Sequence, residues 1–320
     1  MKYFSESHDE VLDAIARTIP LFSHDQHRLY TAADQSRWQP FLVRRLDDLL
    51  QSAEGQVFYE LMDGCIYLVG CRIPRWDEEH FGIKMAKIEY ILYPDESYSP
   101  SMLRALVDEC ISELHHSGVK FISAHLSGSD LPSQHLLEEK GFRYYQTTVY
   151  AVAESKGASD RPDPAVRLWC EEDVPRVVEI ARHNQFPGGH FLQDQRFDRA
   201  TVHAMYEKWI LTSWKKGDPI AVIENDGKVA GYFAFVMDRS LSDAMGFEYG
   251  RMTSLSLDST IHRKGLGASL FRSVVAMIGQ NGGQYVSTEY PLKNYASGKL
   301  HSRNGFVAVH EKVLTHLWLQ

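Results

Sequence analysis

The sequence lacks the features that mark membrane, secreted and nucleic-acid-binding proteins. No hydrophobic run approaches the ~20 residues of a membrane-spanning helix, and residues 1–10 are polar and acidic where a signal peptide would be apolar. The four cysteines form no CxxC pair and no metal-ligand spacing. A net charge of −8 argues against a general nucleic-acid-binding surface. We therefore expect a cytoplasmic protein with reduced, structural cysteines, no metal, and no nucleic-acid or membrane partner.

What the sequence contains is the same pattern twice. A length of 320 residues is about twice an ordinary domain. Asp-Gly pairs at residues 63–64 and 226–227 lie between β-rich runs, which predicts two hairpins. Gly-Phe pairs at residues 141–142 and 305–306 each follow a helical segment. The hairpins are 163 residues apart and the Gly-Phe pairs 164 residues apart, so the sequence predicts one duplicated domain.

The duplication also predicts where the domains lie. Residues 154–164 are polar and contain proline and glycine, which is typical of a linker between a domain at 1–153 and a domain at 165–320. Each domain reads as helices, a hairpin, a third strand, a long helix, a strand, a short helix and closing strands. This order predicts an α/β fold in which a mixed, mostly antiparallel sheet is flanked by helices.

Only the second copy contains a turn suited to phosphate. A predicted strand at residues 253–257 is followed by the basic residues 262–264 and then by a helix. Gly265 and Gly267 allow backbone N–H groups to approach an anion closely, and a helix N-terminus favours negative charge. The equivalent residues 98–103 of the first copy have neither glycine nor a basic residue. An ordinary turn with solvated basic side chains is the alternative interpretation.

The turn resembles the coenzyme A loop of the GNAT (Gcn5-related N-acetyltransferase) family, whose pattern is [QR]-x-x-G-x-[GA]. Gly265 and Gly267 match the two small positions, whereas His262 stands where the family has Gln or Arg. Asn294 and the Gly-Phe at 305–306 match the family's later helix pattern. The resemblance covers most of the second copy and, more loosely, the first, so it implies two GNAT-like domains with the second catalytic.

The resemblance implies an N-acyltransferase whose donor is acetyl-CoA or a longer acyl-CoA. The donor site would be formed by the predicted strand, the turn and the later helix. A backbone N–H near Leu255 would bind the thioester oxygen. The residues expected to bind the donor are Leu255, Leu257, His262, Arg263, Lys264, Gly265, Leu266, Gly267, Ala268 and Asn294.

The departing thiolate needs a proton donor. The family often has a tyrosine four residues before the glycine of Gly-Phe, and here that position is His301. We predict that His301 is this acid, because an imidazole exchanges protons near neutral pH. The alternative is a histidine on the helix surface near its C-terminus. Tyr290 and Tyr295 are the other candidate hydroxyls.

The attacking amine needs a base and a binding pocket. Glu289 and His190 are the preferred candidate bases, ahead of Glu248 and Asp194. A turn-rich stretch at residues 181–189 suits an acceptor loop, and a plain connecting loop is the alternative. The residues expected to contact the acceptor are His183, Asn184, Asp194 and Tyr290.

A narrower resemblance concerns the acceptor. Residues 76–82, W-D-E-E-H-F-G, resemble a segment of the bacterial dTDP-fucosamine acetyltransferases, as do residues 190–194 and 205–210. This resemblance implies a nucleotide-linked amino-dideoxy sugar as the acceptor, although packing alone also explains Trp76 and Phe81. The alternatives are another small amine, a protein N-terminus, or an acyl-CoA-binding module without catalysis. An exposed sheet surface is compatible with a homodimer.

Overall fold

A computed structural model describes the chain over residues 7–22, 24, 35–155, 161–184, 186–261 and 265–320. The described residues form two compact units. The first runs up to Thr147 and also includes His310–Gln320, and the second is Thr148–Val309. The basic residues 262–264 and residues 156–160 of the predicted linker lie outside the described residues.

Helices and strands alternate along the chain. The helices are α1 (His8–Thr18), α2 (Gln35–Gln51), α3 (Arg75–Phe81), α4 (Pro100–His116), α5 (Leu131–Glu139), α6 (Val174–His183), α7 (His190–Gln193), α8 (Arg199–Lys216), α9 (Arg239–Met245), α10 (Leu266–Gln280) and α11 (Tyr295–Arg303). The strands are β1 (Gly55–Met62), β2 (Cys65–Arg72), β3 (Met85–Leu92), β4 (Phe121–Ser127), β5 (Arg143–Glu154), β6 (Val166–Leu168), β7 (Ile220–Asn225), β8 (Lys228–Met237), β9 (Tyr249–Leu257), β10 (Tyr285–Pro291) and β11 (Val307–Trp318).

Each unit contains a mixed, mostly antiparallel sheet, as predicted. In the first unit the order is β1-β2-β3-β4-β11, and in the second it is β6-β7-β8-β9-β10-β5. The parallel pairs are β3 with β4 and β9 with β10. The other neighbours are antiparallel. Both predicted hairpins form, and Asp63 and Asp226 have the same positive φ of 51° in their turns.

The closing strand of each sheet comes from the sequence of the other copy. In the first unit Phe121 of β4 pairs with Trp318 of β11, and in the second unit Tyr285 of β10 pairs with Glu154 of β5. Both pairings are related by the same 164-residue offset. The compact units therefore differ from the predicted domains at 1–153 and 165–320, because each chain end pairs with the sheet of the other copy.

Helices cover both faces of the second sheet. The long helix α10 buries Leu270, Phe271 and Val274 against Phe233 of β8, and this core continues to Phe306. On the other face, α6 and α8 pack against side chains of β7 and β8. Burial of each large side chain contributes about 1.5–3 kcal/mol to folding. The sheet is thus a fixed platform with a different helix layer on each side.

Candidate functional site

The second sheet opens between β9 and β10. The two strands pair from Tyr249↔Tyr285 to Met252↔Thr288. Beyond these pairs β9 continues to Leu257 and β10 to Pro291 without further pairing. Two adjacent parallel strands therefore diverge and leave a cleft at their carboxyl ends, which is where ligands bind in open α/β sheets.

A β-bulge begins the divergence and sets which backbone groups face the cleft. Ala234 pairs with Ser254 and Phe235 with Met252, so Thr253 is an extra residue on β9. The Asp258 N–H donates to the Ala230 carbonyl at 2.8 Å, in register with the pairs between β8 and the end of β9.

The bulge leaves the backbone of Leu255 and Leu257 open to the cleft. Because hydrogen-bonded positions alternate along an antiparallel ladder, Ser254 and Ser256 bond to β8. Leu255 and Leu257 consequently direct their N–H and C=O groups to the opposite edge, where β10 no longer pairs. Both residues were predicted to bind the donor.

Helix α10 starts at the end of this cleft. Gly265 has a φ of +93°, and a Cβ added there would meet no described atom within 4 Å. Gly267 lies close to β9, since a Cβ there would be 3.1 Å from Leu257 Cδ1. The first-turn N–H groups of α10, which include those of Gly267 and Ala268, follow a residue that has no side chain to cap them. This arrangement suits an anion.

The turn after β9 is held by a buried carboxylate. Asp258 accepts hydrogen bonds from the Thr260 N–H at 2.8 Å and the Thr260 hydroxyl at 2.7 Å, and it pairs with Arg176. The Thr260 bonds and the Arg176 charge hold the pKa of Asp258 below its usual range. The predicted donor residues His262, Arg263 and Lys264 follow directly but lie outside the described residues.

Asn184 fastens the predicted acceptor loop to β9. Its backbone carbonyl accepts from the Ser256 hydroxyl at 2.9 Å, and its side-chain carbonyl accepts from the Ser259 N–H at 2.8 Å. Its Nδ2 donates to the Ile180 carbonyl at 3.3 Å. These contacts make Asn184 a residue that positions the loop, because its side chain is already engaged within the protein.

His301 does not have the environment that the predicted acid role requires. It is only 3% exposed, and its ring stacks on Tyr290 with centroids 4.4 Å apart. Its Nδ1 lies 2.7 Å from the Ser297 carbonyl, so Nδ1 carries the proton and Nε2 is left to accept from Thr288 Oγ1 at 3.3 Å. Burial lowers the pKa of His301. The structure therefore favours a neutral, packed imidazole over a protonated acid, and over the surface histidine that was the alternative.

Tyr290 lies where a proton donor is needed. It is half-buried on β10, just past the last pair with β9, and burial raises its pKa, so the phenol stays protonated at neutral pH. A Cβ on Gly298 would be 3.2 Å from Tyr290 Cε2, so this glycine leaves the room that the ring occupies. Tyr295, the other candidate hydroxyl, is 80% exposed at the start of α11. Asn294 caps that helix by accepting from the Ser297 N–H at 3.1 Å.

Glu289 faces the opposite side of the sheet from Tyr290. Thr288 and Tyr290 both contact His301 on the α11 side. Side chains alternate along a strand, so Glu289 between them faces the α6–α8 side. Glu289 is exposed and lies across from Tyr150 of β5. A base and a proton donor thus lie on opposite faces of the strand that borders the cleft.

A group of hydroxyls on the α6–α8 side escaped the sequence analysis. The Tyr232 hydroxyl is 3.2 Å from Ser254 Oγ. Tyr206 of α8 packs in the same cluster, and its hydroxyl lies 3.5 Å from where a Cβ on Gly189 would be. Burial raises the pKa of Tyr206 to about 12, with a smaller contribution from Tyr232. Single tyrosines and serines have no sequence signature, and only the sheet register brings these together.

The other predicted acceptor residues are distributed around this face. Asp194 is buried and accepts from Arg196 Nε at 3.1 Å, so its role is structural. His190 is half-buried at the start of α7, with its ring 4.1 Å from that of Phe191. His183 is exposed at the end of α6.

A family match covers this region. Residues 181–306 match the acetyltransferase (GNAT) family. This part of the chain is a GNAT domain. The match runs from the end of α6 to the residue before β11, and so includes the bulged strand, the glycine turn and α11. No curated protein matches the chain.

Solved structures share the fold over nearly the whole chain. A GCN5-related N-acetyltransferase from Sphaerobacter thermophilus aligns with a TM-score of 0.58 at 14% identity, covering 96% of this chain and 92% of its own. A tandem GNAT protein from the clavulanic acid biosynthesis pathway aligns with a TM-score of 0.56 at 11% identity, covering 97% and 94%. A fungal glucosamine N-acetyltransferase region aligns with a TM-score of 0.63 at 12% identity, covering 98% of this chain and 37% of the multi-domain protein. At these identities the likeness establishes the α/β fold.

Two searches of the described residues found nothing. No described helix combines the length and the apolar character that crossing a membrane requires. Within the same part of the chain, no group of three or more His, Cys, Asp and Glu side chains is arranged to hold a metal ion.

Proposed function

We propose that the GNAT domain transfers an acetyl or larger acyl group from acyl-CoA to the amino group of a nucleotide-linked amino-dideoxy sugar, with dTDP as the nucleotide. The observation that carries the donor half is the open edge of β9. An extended chain of amides, such as the pantetheine of coenzyme A, can pair with the free backbone groups of Leu255 and Leu257 as an added strand would. The first turn of α10 at Gly265 and Gly267 then receives the pyrophosphate.

The two faces of the cleft divide the proton transfers. The amine approaches from the α6–α8 side, where Glu289 accepts its proton as the new amide bond forms. Backbone N–H groups at Leu255 stabilise the negative charge on the former thioester oxygen. The carbon–sulfur bond then breaks, and the Tyr290 phenol donates its proton to the departing thiolate. His301 acts by holding the Tyr290 ring in place.

The hydroxyl cluster supports a sugar acceptor. Tyr206, Tyr232 and Ser254 supply donors and acceptors on the face from which the amine approaches, and a site built to bond hydroxyls discriminates against ligands that lack them. Residues 76–82, which resemble a segment of the dTDP-fucosamine acetyltransferases, form α3 and its terminal glycine. The glucosamine N-acetyltransferase region among the fold neighbours is an instance of this fold used for an amino sugar.

A catalytically silent acyl-CoA-binding module is the second candidate. Burial of a neutral His301 at the family's usual acid position favours it, because such a module needs the donor cleft and no proton donor. Another small amine or a protein N-terminus remains the alternative acceptor.

Thiol release from acetyl-CoA separates these candidates. We would measure it with no acceptor, with dTDP-linked 3- and 4-amino-dideoxy sugars, with free glucosamine, and with a peptide bearing a free N-terminus. The proposal predicts the fastest release with a dTDP-amino sugar. Faster release with glucosamine or the peptide would overturn the acceptor assignment. Tight coenzyme A binding without release with any amine would instead support the silent module.

A further inference from the structure

The first unit contains a cleft built like that of the GNAT domain. Pairing between β3 and β4 ends at Ile88↔Ala124, although the strands continue to Leu92 and Ser127. Gly70 pairs with Tyr90 and Cys71 with Ile88, so Glu89 is the extra residue of a bulge. Glu89 and Thr253 are 164 residues apart. The duplication therefore preserved the bulge and the divergence of the strands.

A cavity lies in this first cleft. It encloses about 620 Å³, part of it open to solvent, and Glu89–Leu92 and His125–Ser127 line it on the two sides of the divergence. Small-molecule sites have volumes of about 300–1,000 Å³, so this space is large enough for a ligand. The apolar part of its wall is formed by Ile19, Phe22, Leu42, Leu46, Ile91 and Leu92.

The cavity lacks the features that bind a nucleotide's phosphates. Helix α4 begins at Pro100, two residues earlier than the counterpart of Leu266 would be. Proline has no N–H, so the first turn of α4 offers one donor fewer than that of α10. Neither glycine of the GNAT turn has an equivalent in residues 98–103. The ligand of this cavity is therefore not coenzyme A.

One wall group does demand a polar ligand. Asp130 lines the cavity and is only 2% exposed. Its Oδ1 accepts from the Tyr93 hydroxyl at 2.6 Å and from the Ser133 N–H at 3.1 Å. Its Oδ2 accepts no hydrogen bond from any residue that the structure describes, and no described lysine or arginine pairs with it.

The charge at Asp130 selects the ligand's polar group. A buried carboxylate is stable only when it is hydrogen-bonded or paired with a cation. Burial, and then the Asp130 charge, raise the pKa of Tyr93, so this phenol remains a donor and leaves the carboxylate negative. The other carboxylate of the wall, Glu89, is already paired with Arg72 and Lys87.

We propose that this cavity binds a small organic ammonium ion with a compact hydrocarbon group. The ammonium donates to Asp130 Oδ2, and the hydrocarbon packs against the walls formed by Phe22, Leu46 and Ile91. The site belongs to the first unit and does not depend on the function proposed for the GNAT domain.

Cyclohexylammonium and its neutral isostere cyclohexanol test the proposal on the full chain. Calorimetry or ligand-observed NMR should show that the ammonium binds wild type about tenfold or more tightly than cyclohexanol, as expected for a hydrogen bond between two charges. Asp130→Asn should remove that difference and leave the weak binding of cyclohexanol unchanged. Asparagine keeps the helix cap, as Asn294 does in the GNAT domain. Asp198→Asn, which changes the cap of α8 in the same way, should leave both affinities unchanged.

A second measurement needs no variant. Titration of cyclohexylammonium into methyl-labelled wild type should shift the resonance of Ile91 and not that of Ile223 in the second unit, with or without saturating coenzyme A. Equal affinity for cyclohexanol, undiminished ammonium binding by Asp130→Asn, or an unmoved Ile91 resonance would each overturn the proposal.

Discussion

Asp130 and Asn294 make the same hydrogen bond at equivalent places in the two units. Asp130 Oδ1 accepts from the Ser133 N–H and Asn294 Oδ1 from the Ser297 N–H, each at 3.1 Å. The two residues are 164 positions apart and cap equivalent helices. The cap geometry is therefore shared, while the charge is negative in one cleft and absent in the other. Ligand chemistry in the two clefts follows from this difference and from the glycine turn that only the GNAT domain has.

Gly298→Ala should lower turnover without lowering stability. The new Cβ would be 3.2 Å from Tyr290 Cε2 and would move the ring that we assign as the proton donor. We expect kcat to fall about tenfold or more, since small misplacements of a reacting group are costly. Alanine favours a helix over glycine by about 1 kcal/mol, which offsets the strain in a thermal melt. Ser302→Ala, an exposed change in the same helix, is the control and should leave kcat unchanged; equal kcat in both variants would contradict the assignment of Tyr290.

Glu289→Gln should impair the chemical step. The amide keeps the size of the side chain but cannot accept the amine's proton, so we expect kcat to fall by about 10²-fold or more. Acetyl-CoA affinity should be unchanged, because Glu289 lies on the acceptor side of the sheet. Glu248→Gln, an exposed change next to β9, should retain full activity. A variant pair with the opposite ranking would identify Glu248 as the base.

Stability should fall as the pH decreases from about 6.5 to about 4. Burial, and then the charge of Lys312, lower the pKa of His310 to about 4. Between this value and the unfolded value of about 6.5, the unfolded chain binds a proton that the folded chain does not. Acid therefore favours unfolding by up to about 1.4 kcal/mol per pH unit in this window.

Denaturant unfolding at several pH values checks this effect. His310→Gln should reduce the slope between pH 6.5 and 4. Asp173 acts in a different window, because hydrogen bonding to Arg167 lowers its pKa to about 2. The stability contributed by Asp173 is present above its unfolded pKa near 3.8 and is lost only below it. An unchanged slope in His310→Gln would show that another group causes the dependence.

The features that the sequence predicted are those specified by local chemistry. Asp-Gly hairpins, helices that end in Gly-Phe, and the Gly265 turn each depend on residues close together in the chain. Their common offset then predicted that the two copies fold alike. The paired strands bear this out, since Met85↔Phe121 and Tyr249↔Tyr285 differ by 164 at both ends.

What the sequence did not predict depends on contacts between distant residues. The bulge at Thr253 is defined only by the register of β8 against β9. The closing strands β5 and β11 look alike in sequence, so nothing local indicates that each pairs in the sheet of the other copy. His301 was assigned from its spacing to Gly305, and its burial against Phe271 and Phe306 appears only in the folded core.

The most direct test of the GNAT assignment is a calorimetric titration with acetyl-CoA. Wild type should bind one molecule per chain. Gly265→Glu should abolish binding, because its carboxylate would occupy the space for the pyrophosphate. Gly217→Glu, another glycine with positive φ and open surroundings, and Ser101→Glu, near the equivalent turn of the first unit, should both bind like wild type. Full affinity in Gly265→Glu, or loss of binding in Ser101→Glu, would contradict a single donor site between β9 and β10.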